Sequence, residues 1–115
     1  MIINLPKLIG HRGVRDLAPE NTLQSIKKAI ELNIKWVEVD VKISKDHIPF
    51  LLHDDNLDRT TSGNGSPLNY RYSELYKLDA GSWINRKYNN FSFFKNLISL
   101  YHISISSIMK YGVLR

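Results

Sequence analysis

The segment Trp36-Val-Glu-Val-Asp-Val-Lys-Ile43 alternates with a period of two, and this alternation constrains the fold more than any other feature of the chain. Val37, Val39, Val41 and Ile43 project to one side of an extended strand, and Glu38, Asp40 and Lys42 to the other. A second extended run, Ile48-Pro-Phe-Leu-Leu52, follows after only Ser44-Lys-Asp-His47, a spacing too short for a crossover helix. Upstream, the apolar run Lys7–Gly10 reads as a strand entering a loop at His11. Leu23, Ile26, Ala29 and Ile30 then share one face of an amphipathic helix over 22–32. Asn21 is the expected N-cap and Asn33 the expected left-handed terminator. Ser73–Leu78 reads as a short helical turn after the polar loop of residues 56–67. Strand, helix and strand in that order specify an α/β fold.

The 115 residues carry a formal charge of +5, but it is unevenly placed. Residues 1–79 hold 11 basic and 11 acidic residues, whereas Arg86, Lys87, Lys95, Lys110 and Arg115 in the remainder face no acid. Five diluted cations do not form the dense basic stripe of a nucleic-acid interface, so no nucleic-acid partner is expected. A basic interaction module acting through residues 86–115 is a distant alternative. No cysteine is present, which removes thiolate chemistry and thiolate-ligated metals. No apolar run reaches the ~18–20 residues of a membrane span, and no signal peptide is evident. A cytoplasmic protein is therefore expected.

Four ionisable groups stand at strand ends or on a polar strand face: His11, Glu38, Asp40 and His53. Glu38 and Asp40, two residues apart, put both carboxylates on one face ~7 Å apart at Cα. Two readings of this pair remain open, a solvated polar face or an oxygen-only site for a hard cation. With Asp46 and His47 at the centre of a tight turn, Asp40 falls opposite His53, bringing an imidazole beside the carboxylates. His11 and His53 directly follow apolar runs, where α/β proteins place catalytic groups; His47 and His102 read as turn or surface residues. Arg12 is either a surface arginine or a forked phosphate donor. The loop Asp58-Arg-Thr-Thr-Ser-Gly-Asn-Gly65 is either a solvated turn or a second place for an anion.

Six motifs, HRG (11–13), APENT (18–22), VEVDV (37–41), SKD (44–46), HDDNLDRTTSGNG (53–65) and LDAGSW (78–83), occur in order. Together they resemble the amino-terminal part of a glycerophosphodiester phosphodiesterase over roughly residues 7–90. The resemblance implies part of a TIM (β/α)8 barrel of the PLC-like phosphodiesterase type, incomplete in this chain. It implies hydrolysis of glycerophosphodiesters, which are deacylated phospholipids, to an alcohol and glycerol 3-phosphate. His11 and His53 would be the catalytic acid–base pair, Arg12 would hold the substrate phosphate, and Glu38 and Asp40 would bind Ca²⁺ or Mg²⁺. Glu20 and Asn21 would support the first loop. In the family mechanism a glycerol hydroxyl attacks phosphorus, the alcohol leaves, and water opens the cyclic phosphate. His47 replaces the usual glycine of the KDG turn.

The family continues with an IPTLEE-like helix start and a strand bearing Glu-x-Lys, which would complete the metal and phosphate sites. Here the last acid is Asp79. Residues 1–90 therefore read as the amino-terminal part of the domain, and 91–115 as a divergent helical tail of the same shortened domain. Tyr111–Arg115 resembles the approach to the missing strand, and a reading-frame change near Asn90 would account for the tail. An inactive remnant is the alternative to an active enzyme, and a second chain supplying the absent barrel strands would reconcile the two.

Overall fold

A computed structural model describes residues 6–88 and the strand 112–114. Strands β1 (Gly10–His11), β2 (Val37–Val39) and β5 (Gly112–Leu114) form a parallel sheet in the order β1-β2-β5. Helix α1 (Leu23–Glu31) connects β1 to β2. Strands β3 (Val41–Ile43) and β4 (Pro49–Leu51) form a separate antiparallel hairpin, and α2 (Tyr72–Leu75) follows the long polar loop. Apart from Gly112–Leu114, which form strand β5, the helical tail expected for 91–115, with His102 and the division near residue 90, lies outside the described residues.

The expected single strand 36–43 is broken at Asp40, so its two halves belong to different sheets. Val37, Glu38 and Val39 are all buried, whereas Ile43 is exposed. The apolar run 50–52 is packed on both sides. Phe50 and Leu52 join Leu57, Leu75 and Ala80 in one cluster, while Leu51 joins Ile26 and Val39 in another. Alternate residues of a strand face opposite ways, so a continuous apolar run lets one short strand serve two cores.

Two local expectations are corrected. Helix α1 is capped by Thr22, whose hydroxyl accepts from Ser25 N at 3.2 Å while Thr22 N donates back to Ser25 Oγ at 3.3 Å. Asn21 instead adopts a left-handed conformation (φ 55°) and turns its side chain elsewhere. Such a cap contributes about 1 kcal/mol. At the other end Asn33 is left-handed as expected (φ 56°). Ile34 N donates to Ala29 O at 2.9 Å and Asn33 N to Ile30 O at 3.0 Å, the paired bonds of a Schellman closure.

The hairpin register is the second correction. Val41 pairs with Leu51 and Ile43 with Pro49, and Leu52 N donates to Asp40 O at 3.0 Å. Asp40 thus lies opposite Leu52, not His53. The loop has three residues, Lys45-Asp46-His47, and His47 takes the left-handed position (φ 61°) that a three-residue hairpin requires. That extra residue slips the pairing by one.

Among the described residues no helix is long and apolar enough to cross a membrane. Leu8, Leu17, Ile30, Leu32 and Ile43 are exposed apolar side chains.

His47→Gly should raise the free energy of unfolding by about 1 kcal/mol, because a side chain in the left-handed region is strained by that order. His47→Val should lower it. Urea denaturation midpoints of the two variants check both.

Candidate active site

The site is built where β1 and β2 end and the chain turns off the sheet. Parallel pairing sets His11 beside Glu38, and His11 Nε2 lies 3.8 Å from Glu38 Oε2. The imidazole is exposed, whereas Glu38 is buried. Past His11, Arg12 and Gly13 both have positive φ (54° and 81°), which curls the backbone over the end of β2. Arg12 N then donates to Glu38 Oε2 at 3.2 Å and Gly13 N to Glu38 O at 3.2 Å. A Cβ at Gly13 would collide with the Ser25 side chain. The loop therefore needs glycine there to lie against the first turn of α1.

Arg12 is buried, so of the two readings left open for it the surface arginine does not hold. Its Nη1 donates to Glu20 Oε1 at 2.9 Å and its Nε lies 3.6 Å from Asp40 Oδ2. That Nε is shielded from solvent without a hydrogen-bond partner. Asn21 fixes both sides of this group. Its backbone N–H donates to Arg12 O at 2.9 Å, its Nδ2 donates to Asp40 Oδ2 at 3.0 Å, and its Oδ1 accepts from Asp40 N at 3.1 Å. The left-handed turn at Asn21 makes this two-point clamp on Asp40 possible.

Glu20 extends the network across the fold. Arg59 donates through Nη1 and Nη2 to its two oxygens at 3.2 and 2.8 Å. The same guanidinium donates through Nε and Nη2 to Asp54 at 2.8 and 2.9 Å. Asp54 Oδ1 is 2.8 Å from His53 Nδ1. Arg59 also lies over the Trp83 ring, 5.7 Å from its centroid, and Trp83 Nε1 donates to Ala80 O at 3.1 Å. A continuous chain of contacts thus joins His53 to Arg12 and Asp40. Burial would raise the Glu20 carboxyl, but hydrogen bonds from Arg59 and Arg12 hold it below its ordinary value. Asp54 is held well below the carboxylate range, chiefly by Arg59 and secondarily by His53. Arg59 is raised in turn by Asp54 and Glu20.

A glycerophosphoryl diester phosphodiesterase family model matches residues 11–110. The chain belongs to this family. It is 40% identical over 81 residues to a glycerophosphodiester phosphodiesterase of Caldanaerobacter subterraneus, covering 70% of this chain and 33% of that protein. A human glycerophosphoinositol inositolphosphodiesterase is 43% identical over 86 residues, which is 68% of this chain and 16% of that one. In three dimensions it resembles an Oleispira antarctica phosphodiesterase solved in complex with the product sn-glycerol-3-phosphate. That match has a TM-score of 0.87 at 43% identity and covers 96% of this chain and 44% of that chain. The fold is accordingly that of part of a TIM barrel, and the chain spans less than half the length of these relatives.

Glu38 and Asp40 offer the family chain carboxylate oxygen only, which suits a hard cation. Each carboxylate already accepts one orienting N–H, from Arg12 or Asn21, an outer-shell support typical of metal ligands. Among the described residues no group of three or more His, Asp and Glu side chains converges as a complete metal cage. The pair therefore fits as part of a site.

Sequence reasoning gave Asp54 and Trp83 no role and noticed Arg59 only as part of the loop of residues 58–65. Their signal was present in the motifs HDDNLDRTT and LDAGSW, but Arg59 reaches Glu20 across 39 positions of sequence, which no local pattern reveals. The loop of residues 58–65, left open between a solvated turn and a second place for an anion, satisfies part of its polarity internally. Thr61 Oγ1 donates to Leu57 O, and Gly65 N donates to Asp58.

Glu20 and Asp54 titrate lower in the folded chain than in the unfolded one, so the unfolded state binds more protons in acid. Their stabilisation is complete above the unfolded values of about 4.3 and 3.9. It fades as pH falls from there through the lower folded values. Glu20→Gln should flatten this acid loss and destabilise the chain by about 3 kcal/mol at neutral pH, by stranding a buried arginine. Urea titrations between pH 3 and 7 measure both effects.

Proposed function

We propose that this chain carries the acid–base and phosphate-binding part of a glycerophosphodiester phosphodiesterase, acting on deacylated phospholipids. One observation supports the reading above the others. The buried Arg12, with an unpartnered Nε, is held among Glu20, Glu38 and Asp40 at the end of the strand that presents His11.

In this reading one of the two imidazoles, His11 or His53, takes the proton from a glycerol hydroxyl as its oxygen attacks phosphorus. The other donates a proton to the departing alcohol oxygen. The roles then reverse as water opens the cyclic phosphate to glycerol 3-phosphate. Arg12 orients the phosphoryl group through a guanidinium whose position Glu20 and Asp40 set. The family is generally divalent-metal dependent. Glu38 and Asp40 would hold Mg²⁺ or Ca²⁺, and Mg²⁺ in particular is often held by one or two carboxylates together with substrate phosphate. The cation would supply charge stabilisation at the phosphoryl oxygens. A cytoplasmic location remains part of the proposal, as does the division into residues 1–90 as the amino-terminal part of the domain and 91–115 as a divergent tail of it.

The inactive-remnant reading has one observation in its favour. Strand β5 pairs with β2 so that Val113 lies opposite Glu38, and residues 80–115 contain no acid to join Glu38 and Asp40.

The test is release of glycerol 3-phosphate from glycerophosphocholine, with and without Mg²⁺ or Ca²⁺. Metal-dependent turnover that drops about 10²–10⁴-fold in His11→Ala and in His53→Ala is the expected result. A cooperatively folded chain with no turnover in either metal would establish the remnant. Turnover appearing only when a second chain supplies the later barrel strands would establish complementation.

A further inference from the structure

The contact between His53 and Asp54 would mean little by itself, since neighbours in sequence often touch at a surface. Its setting is what distinguishes it. Asp54 receives two N–H donors from Arg59, and Arg59 gives two more to Glu20, which is buried and bound to Arg12. Each of the three guanidinium nitrogens thus donates to one of these carboxylates, and the Trp83 ring covers a face of the group. A planar fork held on two edges and one face has little rotational freedom left. Through it, Asp54 is fixed relative to Arg12 and the end of β1, although 39 residues separate Glu20 from Arg59.

An ionised carboxylate can only accept a hydrogen bond. His53 Nδ1, 2.8 Å from Asp54 Oδ1, must therefore carry the proton, leaving Nε2 as the nitrogen available to a substrate. We propose that Asp54 and Arg59 are positioning residues that hold His53 in its Nδ1–H tautomer with Nε2 presented for reaction. The assignment rests on reading His53 as an acid–base group. An alternative role for Arg59, direct capture of the substrate phosphate, is disfavoured because its nitrogens are already engaged with Asp54 and Glu20.

Nitrogen-detected NMR of the imidazole side chains in the full 115-residue chain tests the tautomer directly, without reference to turnover. His53 should show a protonated Nδ1 and an unprotonated Nε2 near neutral pH. Asp54→Ala should shift it towards the Nε2–H form that free imidazole side chains favour. Arg59→Lys keeps a cation between Glu20 and Asp54 but loses the fork. It should give an intermediate tautomer population, and it carries the test if Asp54→Ala does not fold. A tautomer unchanged in Asp54→Ala, or a wild-type His53 already in the Nε2–H form, overturns the proposal. Where turnover is measurable, Asp54→Ala should lower kcat about 10–100-fold with KM little changed. A rise in KM with kcat unchanged would overturn it in favour of phosphate binding by Arg59. Absence of turnover in the wild type, with the tautomer shift present, would count against the phosphodiesterase reading and leave the positioning role intact.

Discussion

The ion cluster around Glu20 is the interaction on which the rest of the site depends. A carboxylate removed from water is costly unless its charge is balanced and its oxygens are hydrogen-bonded. Glu20 meets both conditions with Arg12 and Arg59, which reach it from either side in the sequence. Arg12 follows β1, Glu20 precedes α1, and Arg59 sits in the loop after β4. One buried charge therefore couples three segments, and Arg59 joins the other two through its hydrogen bonds to Glu20. The attraction is also directional. Two forks on one carboxylate define angles as well as distances, so the cluster transmits position and not only stability.

The left-handed residues serve the same end. Arg12, Asn21, Asn33 and His47 all have positive φ, and two of them belong to the site itself. At Asn21 the unusual backbone lets one residue hold Arg12 O with its amide N–H and Asp40 with its side chain. At Arg12 it lets the backbone N–H reach Glu38 while the side chain doubles back to Glu20. Such conformations cost about 1–2 kcal/mol each and persist where surrounding contacts over-determine them. The contacts here are many and mutually reinforcing.

Much of the site was legible in the sequence because it is local. HRG, APENT and VEVDV lie within 31 positions, and their residues meet around Arg12 as the spacing of strand, helix and strand suggests. What escaped was either non-local or a choice between adjacent residues of similar chemistry. Asn21 and Thr22 are both good caps, and tertiary demand from Asp40 decided which one took the role. The hairpin register escaped because a left-handed histidine, where glycine is the common signal, adds a third loop residue and shifts every pair by one. The burial of Glu38 escaped because alternation alone cannot say whether a strand's polar face meets water or a second layer.

The ionised groups of the site carry a local excess of negative charge. Two arginines, Arg12 and Arg59, stand among four carboxylates, Glu20, Glu38, Asp40 and Asp54, a formal excess of two negative charges. Each arginine contacts two of these acids, Arg12 meeting Glu20 and Asp40 and Arg59 meeting Glu20 and Asp54, so both are held in place by the carboxylates around them. Like charges so placed repel one another, and low local dielectric strengthens the repulsion. On the proposed function, a divalent cation held by Glu38 and Asp40 would offset that excess. The neutral bulk composition of residues 1–79 conceals this local imbalance, and the basic residues that give the chain its overall charge lie elsewhere in the sequence, from Arg86 onward.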